Sequence, residues 1–168
     1  MQGITQIRAV ASDIKELTTV LIYGEKRLEK FSKELKKLEK QLSQANTHDK
    51  INALKRLCLF ADASLSTTWD ALVEWKDKSE QSLQELHAFA KDALQVEASS
   101  GYDLMTLTLE ITSLLQMIST QQKAMCSQRA RLQQLLQGIK KRERVLQKHI
   151  TRARAPLIIG ENLALEQL

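Results

Sequence analysis

The sequence predicts an all-α protein, an elongated antiparallel three-helix coiled-coil bundle whose helices run up, down and up. Three observations predict it. The 168 residues include only 5 Gly and 1 Pro, so few tight turns are expected. Aromatic residues make up 4% of the chain, which is few for a sheet. Apolar residues recur every three or four positions over long stretches, which is the spacing of one buried helix face.

The first predicted helix spans residues 4–46. Written in sevens, eleven of its twelve a and d positions are apolar, a pattern that keeps one stripe against a partner helix. These positions are Ile7, Ile14, Leu21, Leu28, Leu35 and Leu42 at a, and Val10, Leu17, Gly24, Phe31, Leu38 and Ala45 at d. Glycine costs ~1 kcal/mol relative to alanine inside a helix. Gly24 therefore indicates a close helix approach or a slight bend.

The second predicted helix spans residues 48–98. It follows a break at NTHD, where Asn46 or Thr47 offers a side-chain oxygen for the new helix start. Its seam consists of Ile51, Cys58, Leu65, Leu72, Ser79, Leu86 and Ala93 at a, and Leu54, Ala61, Thr68, Trp75, Ser82, Phe89 and Val96 at d. Further apolar residues widen this stripe, so contact with two neighbours is expected. These residues are Leu57, Trp69, Leu83 and Leu94.

The third predicted helix spans residues 102–153. It follows ASSGYD, in which Ser100 and Asp103 resemble a capping box. Its seam consists of Leu104, Ile111, Ile118, Met125, Leu132, Ile139 and Leu146 at a, and Leu107, Leu114, Gln121, Gln128, Leu135, Arg142 and His149 at d. We expect it to end at Pro156, because proline disfavours helical geometry in the residue before it. Residues 1–155 then form one domain, and residues 156–168 form a short apolar tail.

Four polar residues fall at or beside the predicted seams. If the turns centre near residues 47 and 100, Ser79 and Ser82 lie beside Gln121 and Gln122. A polar layer of this kind costs stability and fixes the register of the helices. The alternative is that these side chains point outward past a drifting stripe.

The net charge of +5 is unevenly distributed. Residues 123–154 contain ten Lys or Arg and one acid, and the C-terminal half of the first helix contains seven Lys or Arg. Antiparallel folding brings these two segments to one end of the bundle. A basic end attracts anionic surfaces, although cations near helix C-termini also stabilise the helix itself. The anion- or lipid-binding candidates are Lys33, Lys36, Lys37, Arg129, Arg131, Lys140, Lys141, Arg142, Arg144, Lys148, Arg152 and Arg154.

No catalytic residues, metal site or cofactor are expected from this sequence. The three histidines lack partners at metal-ligand spacing, and the five glycines are isolated, so no phosphate loop is expected. We interpret His87 as a packed histidine at the core edge, and Cys58 and Cys126 as small buried residues. Sequence-specific nucleic-acid binding is not expected either, because no aromatic residues alternate with the cations.

The candidates for a protein interface are one tryptophan and the apolar start of the tail. They are Trp69, Leu157, Ile158 and Ile159. The partner is a second copy of the chain or a helical protein. No stretch reaches the ~18–20 uncharged apolar residues of a membrane span, and the N-terminus lacks the apolar region of a secretory signal. We therefore expect a cytoplasmic protein.

Three long antiparallel helices with stretches such as LLQMISTQQKAMCSQRARLQQLLQGIKK resemble the BAR-domain superfamily, with the sorting-nexin type nearest. The resemblance covers residues 4–153 and is architectural. It implies a dimeric, curved bundle that binds anionic membranes through Lys and Arg on one surface, and a peripheral location on endosomal or other intracellular membranes.

Two functional interpretations follow. The first is a dimeric membrane-binding scaffold in intracellular trafficking. The second is a coiled-coil subunit of a cytosolic, cytoskeletal or secretion-apparatus complex. A third class, non-specific nucleic-acid packaging, stays open because a phosphate backbone attracts the same cations.

Overall fold

The computed structural model describes the backbone of residues 2–166 and the side chains of residues 3–151. Throughout this range the protein is helical and contains no strand, so the all-α prediction is confirmed. The helices are α1 (Gln2–Gln44), α2 (His48–Ala88), α3 (Ala93–Ser100) and α4 (Leu104–Glu166), with a 3-10 turn at Ala90–Asp92 between α2 and α3.

The first connection lies where the sequence predicts it. Of the two predicted capping residues, Thr47 is used: its Oγ1 accepts a hydrogen bond from the Lys50 N–H at 3.3 Å. Asp49 lies in the first turn of α2. Its carboxylate suits the positive end of the helix dipole.

The predicted helix 48–98 is interrupted near its end, because α2 ends at Ala88 and α3 begins at Ala93. The chain tightens there into a 3-10 turn, in which the Asp92 N–H donates to the Phe89 carbonyl at 3.1 Å. The Phe89 ring packs against α1 so closely that a Cβ on Gly3 would stand 3.1 Å from it. This turn contains neither glycine nor proline, so the sequence does not indicate the break.

The second connection is built differently from a capping box. Gly101 ends α3 in the left-handed conformation at φ 76°, and its N–H donates to the Glu97 carbonyl at 2.9 Å. Asp103 begins α4: its carboxylate accepts from the Met105 N–H at 3.1 Å and from the Thr106 hydroxyl at 2.8 Å. The Ser100 hydroxyl accepts instead from the Tyr102 N–H. The capping role predicted for the pair therefore falls to Asp103.

The predicted end of the third helix at Pro156 is also wrong, because α4 continues to Glu166. Proline already has a helical φ, so its cost inside a helix is one lost hydrogen bond and a steric clash with the preceding turn. The residues after it include Leu163, Leu165 and Glu166, which favour helix. These residues favour continuation of the helix beyond Pro156.

The chain forms two compact units. Unit 1 comprises Met1–Ser32 and Ser64–Gln128, and unit 2 comprises Lys33–Ala63 and Arg129–Leu168.

The core of unit 1 consists of the predicted seam residues of three helices. Ile7 and Leu21 of α1, Leu72 of α2 and Ile118 of α4 are fully enclosed. A buried aliphatic side chain of this size stabilises the fold by about 1.5–3 kcal/mol. The other buried apolar residues of unit 1 are Val10, Ala11, Ile14, Leu17, Leu65, Leu86, Leu104, Leu107, Ile111, Leu114 and Met125.

The core of unit 2 is smaller and is built in the same way. It contains Leu35, Leu38, Ala45, Ile51, Leu54, Cys58, Leu132, Leu135 and Ile139. All of these are predicted seam positions. The predicted seam loses its buried character after Ile139, because the next d positions, Arg142 and His149, are exposed.

Two glutamines in the interior of unit 1 bond to the backbone of α1. Gln121 Nε2 donates to the Leu21 carbonyl at 2.6 Å, and Gln128 Nε2 donates to the Leu28 carbonyl at 2.9 Å. Gln121 has 3% of its surface exposed. A Cβ on Gly24 would stand 2.9 Å from Gln121 Oε1. The close approach predicted at Gly24 is therefore confirmed, and it makes room for a polar side chain.

The predicted polar layer does not form. Ser79, Ser82 and Gln121 are buried, but the hydroxyl of Ser79 has no partner among the described residues. Lys78 pairs with Asp13, whereas Gln121 bonds to Leu21, eight residues further along α1. Ser79 and Gln121 are therefore separated by roughly 12 Å of helix rise. The predicted register assumes that a single turn near residue 100 joins two long helices. The 3-10 turn at Ala90–Asp92 and the short helix α3 change that connection.

Candidate functional site

A row of cations lies on the exposed face of α4 in unit 2. Lys140, Arg144 and Lys148 follow one another at four-residue spacing, and Lys141 flanks them. Residues four apart on a helix are neighbours on its surface. All four side chains are exposed. The core residues Leu135 and Ile139 occupy the opposite face of this segment.

The acids that could neutralise this row are turned toward other helices. Glu143 Oε1 lies 3.3 Å from Lys55 Nζ of α2. Glu39 of α1 pairs with Arg131 at 2.9 Å, and Asp62 of α2 lies 4.0 Å from Arg129. These are partly exposed pairs, each worth at most about 1 kcal/mol. They hold Glu39 and Glu143 at contacts between helices, whereas Glu34 of α1 is exposed and has no ion pair among residues 3–151.

A second cationic face lies on α1 in unit 2. Lys33, Lys36 and Lys37 are exposed, as is Lys40, which the sequence interpretation did not place among the candidates. The spacing of Lys40, four residues after Lys36, would have identified it. We name as the basic surface the eight residues Lys33, Lys36, Lys37, Lys40, Lys140, Lys141, Arg144 and Lys148. None of the eight forms an ion pair with an acid among residues 3–151.

Three predicted candidates contact neighbouring helices of unit 2. Arg129 and Arg131 form ion pairs with acids of α2 and α1, as described above. Arg142 Nη1 donates to the carbonyl of Ala45 at 3.4 Å, at the end of α1. Arg152 and Arg154 lie outside the described side chains, as do the interface candidates Leu157, Ile158 and Ile159.

The remaining interface candidate, Trp69, is half-buried in unit 1. The apolar residues expected to widen the α2 stripe behave differently from one another. Leu83 is half-buried, but Leu94 is 87% exposed and Leu57 is 51% exposed. The expectation that they all pack against neighbours is wrong for Leu57 and Leu94.

Unit 2 also exposes an aromatic residue that the sequence interpretation did not single out. Phe60 of α2 is 77% exposed, three residues after Leu57. Ala53, four residues before Leu57, is exposed as well. The four-then-three spacing of Ala53, Leu57 and Phe60 is the signal that sequence reasoning missed.

The described histidines and cysteines form no reactive cluster. His87 is exposed, so its predicted place at the core edge is wrong, because α2 ends one residue later. Cys126 is exposed and not buried as predicted. Cys58 is fully buried as predicted, and burial raises the pKa of its thiol from 9.0 to about 11. That thiol stays protonated near neutral pH and is a poor nucleophile.

Comparison with known proteins gives the chain no family. No family model matches the sequence, and neither the curated proteins nor the solved structures searched gave a match. Within the described part of the chain, no helix contains a stretch long and apolar enough to cross a membrane.

Proposed function

We propose that this chain is a non-enzymatic helical scaffold that binds anionic membrane surfaces through the basic surface. The observation that carries the proposal is the segregation of charge in unit 2. Eight exposed cations stand on α1 and α4, while Glu39 and Glu143 pair with cations of neighbouring helices. Each Lys or Arg near an anionic leaflet contributes about 1 kcal/mol.

The helix dipole offers no sufficient account of these cations. A cation is stabilised by the dipole only within the last turn of a helix. The last turns of α1 and α4 contain no basic residue. Lys148 stands 18 residues before the end of α4 at Glu166. The cations therefore lie outside the last turns, where the helix dipoles would stabilise them.

The proposal includes an up-down-up bundle of α1, α2 and α4. Gln121 bonds to Leu21 and Gln128 to Leu28, and the same offset of 100 residues supports parallel α1 and α4 in unit 1. In unit 2, α4 residues in ascending order pair with α2 residues in descending order: Arg129 with Asp62, then Glu143 with Lys55. That order supports antiparallel α2 and α4.

The resemblance to the BAR superfamily extends this proposal. On that view the chain forms a dimer and acts as a peripheral protein in intracellular membrane trafficking. Solution scattering with mass determination tests the dimer: the expected result is twice the monomer mass and a maximum dimension well beyond one helix length. A monomer mass at every concentration would contradict this part of the proposal.

Vesicle co-sedimentation tests lipid binding. The full chain is expected to bind vesicles of phosphatidylcholine with phosphatidylserine, to bind neutral vesicles weakly, and to be released by high salt, since salt screens exposed charges. Replacing Lys140, Lys141, Arg144 and Lys148 together by Gln is expected to reduce the bound fraction at least tenfold. Glutamine keeps the helix propensity of the four positions.

A matched control removes the same charge elsewhere. Lys15, Lys76, Lys91 and Lys123 are exposed residues of unit 1, and their combined replacement by Gln changes the net charge equally. It is expected to change vesicle binding less than twofold. Equal losses in both variants would show that net charge alone acts and would refute the basic surface. If the chain bound duplex DNA of mixed sequence but not vesicles, the ligand of the basic surface would be nucleic acid and not lipid.

A further inference from the structure

An apolar stripe on α2 in unit 2 has no partner in the described part of the chain. Leu57 is 51% exposed and Phe60 is 77% exposed, and Ala53 precedes them on the same side of the helix. Spacing of four and then three residues puts a seam along one face of a helix, as in a coiled coil. The stripe is therefore shaped to pack against another helix.

The stripe borders a groove of about 290 Å³ between α1 and α2. Gln41 and Gln44 form the α1 wall, and Lys50, Ala53 and Leu57 form much of the α2 wall. On α2 the groove extends from Lys50 to Leu57, roughly 10 Å or two helical turns, and Phe60 continues the apolar stripe one turn further. The groove and the stripe together accommodate three apolar side chains of a guest helix at i, i+3 or i+4, and i+7.

The borders of the groove are positively charged. Lys37 lies one turn before Gln41 on α1, and Arg56 lies one turn before Phe60 on α2. Neither of these residues, nor Lys50, has an ion pair among residues 3–151. The acids of these two helix segments that have no ion pair among the described side chains are Glu34 and Asp49. Cations therefore prevail along the groove.

A second copy of this surface is a poor occupant. The described side chains of unit 2 include fourteen Lys or Arg and five Asp or Glu. Two copies facing each other through this groove would repel, because like charges placed together oppose association. An acidic helix meets the same cations with attraction and also covers the apolar stripe.

We infer that the groove between α1 and α2 in unit 2 binds an amphipathic helix of a partner protein, with apolar residues on one face and Asp or Glu on its flanks. The inference rests on the apolar stripe and does not require the lipid-binding proposal, although Lys37 belongs to both surfaces. Leu57 and Phe60 supply the contact area, and Lys37, Lys50 and Arg56 select the acidic flanks.

Selection from a peptide library tests the inference. The probes are displayed 18-residue helices with Leu, Ile or Phe at i, i+4, i+7 and i+11, and with Glu, Gln or Lys varied on the flanks. The full chain is expected to enrich Glu-flanked sequences. Leu57→Gln and Phe60→Gln are each expected to weaken binding of the enriched peptides at least tenfold in fluorescence anisotropy.

Leu59→Gln is the matched control. Leu59 is 52% exposed, almost as much as Leu57, but it stands two residues away and thus on another side of the helix. It is expected to change peptide affinity less than twofold. Circular dichroism checks that each variant keeps its helix content and thermal midpoint.

Three results would overturn the inference. They are enrichment of Lys-flanked sequences as strongly as Glu-flanked ones, no enrichment at all, and equal losses in the Leu57 and Leu59 variants. Self-association that disappears in Phe60→Gln would likewise overturn it, by assigning the groove to a second copy. Vesicle binding unchanged in Phe60→Gln would show that this site and the basic surface act separately.

Discussion

Gly24→Ala perturbs the site where the backbone of α1 closely approaches the buried side chain of Gln121 in unit 1. The added methyl group would stand 2.9 Å from Gln121 Oε1, inside normal van der Waals contact. Gln121 has little freedom to withdraw, because it is 3% exposed and its Nε2 is bonded to the Leu21 carbonyl at 2.6 Å. The methyl group and this hydrogen bond are expected to exclude one another.

Two opposing effects set the magnitude. Alanine is more favourable than glycine inside a helix by about 1 kcal/mol. Breaking the hydrogen bond of a buried amide costs about 1–3 kcal/mol. We therefore expect Gly24→Ala to lower the free energy of unfolding by up to about 2 kcal/mol. In a Gln121→Ala background no amide opposes the methyl group, so the same substitution is expected to raise stability by about 1 kcal/mol.

Urea unfolding followed by tryptophan fluorescence measures both effects in the right part of the molecule. Both tryptophans, Trp69 and Trp75, belong to unit 1, so their emission reports that unit. The four chains of the double-mutant cycle give the coupling between Gly24 and Gln121. Equal effects of Gly24→Ala in the two backgrounds, or stabilisation of the native chain, would refute the account of the contact.

Three further predictions concern the cysteines and one ion pair. Iodoacetamide at pH 8 is expected to modify Cys126 and to leave Cys58 intact until the chain unfolds, as intact-mass spectrometry would show. Burial raises the pKa of the Cys58 thiol to about 11, so the buried neutral thiol stabilises the fold fully below pH 9, and this contribution is lost as the pH rises to 11. Between pH 9 and 11 the free energy of unfolding is therefore expected to fall more for the native chain than for Cys58→Ala. Glu143→Gln, which breaks the pair with Lys55, is expected to change stability by less than about 1 kcal/mol while strengthening binding to anionic vesicles in co-sedimentation. Reactive Cys58, equal pH profiles or unchanged vesicle binding would contradict the respective prediction.

The seams of the long helices were predictable because burial follows a simple spacing. From Ile7 to Leu21 and from Leu104 to Ile139, the buried residues coincide with the a and d positions, apart from Ala11. Even the glutamines of the α4 seam are buried, since each finds a carbonyl of α1 as acceptor. In these segments the heptad spacing of the sequence was therefore sufficient to identify the residues that line the core.

The register between helices was not predictable, because it depends on connections with weak local signals. The break after Ala88 occurs in HAFAKDA, which contains neither glycine nor proline. It displaces Ser79 from Gln121 and leaves His87 in solvent. Cys126 shows a related limit: it directly follows the buried Met125, so a shift of one position separates core from surface. The excess of Lys and Arg over acids in the sequence identified the candidate cations. Which of them form ion pairs depends on the register between the helices, so the sequence did not indicate it.

The cost of the basic surface argues that its charges are kept for a ligand. Like charges four residues apart on a helix destabilise it by about 0.2–0.5 kcal/mol per pair. Lys33 with Lys37, Lys36 with Lys40, and Arg144 with both Lys140 and Lys148 make four such pairs. Together they lower stability by roughly 1–2 kcal/mol, and neither helix dipole compensates them. If the lipid-binding proposal holds, contact with an anionic surface would reduce this repulsion.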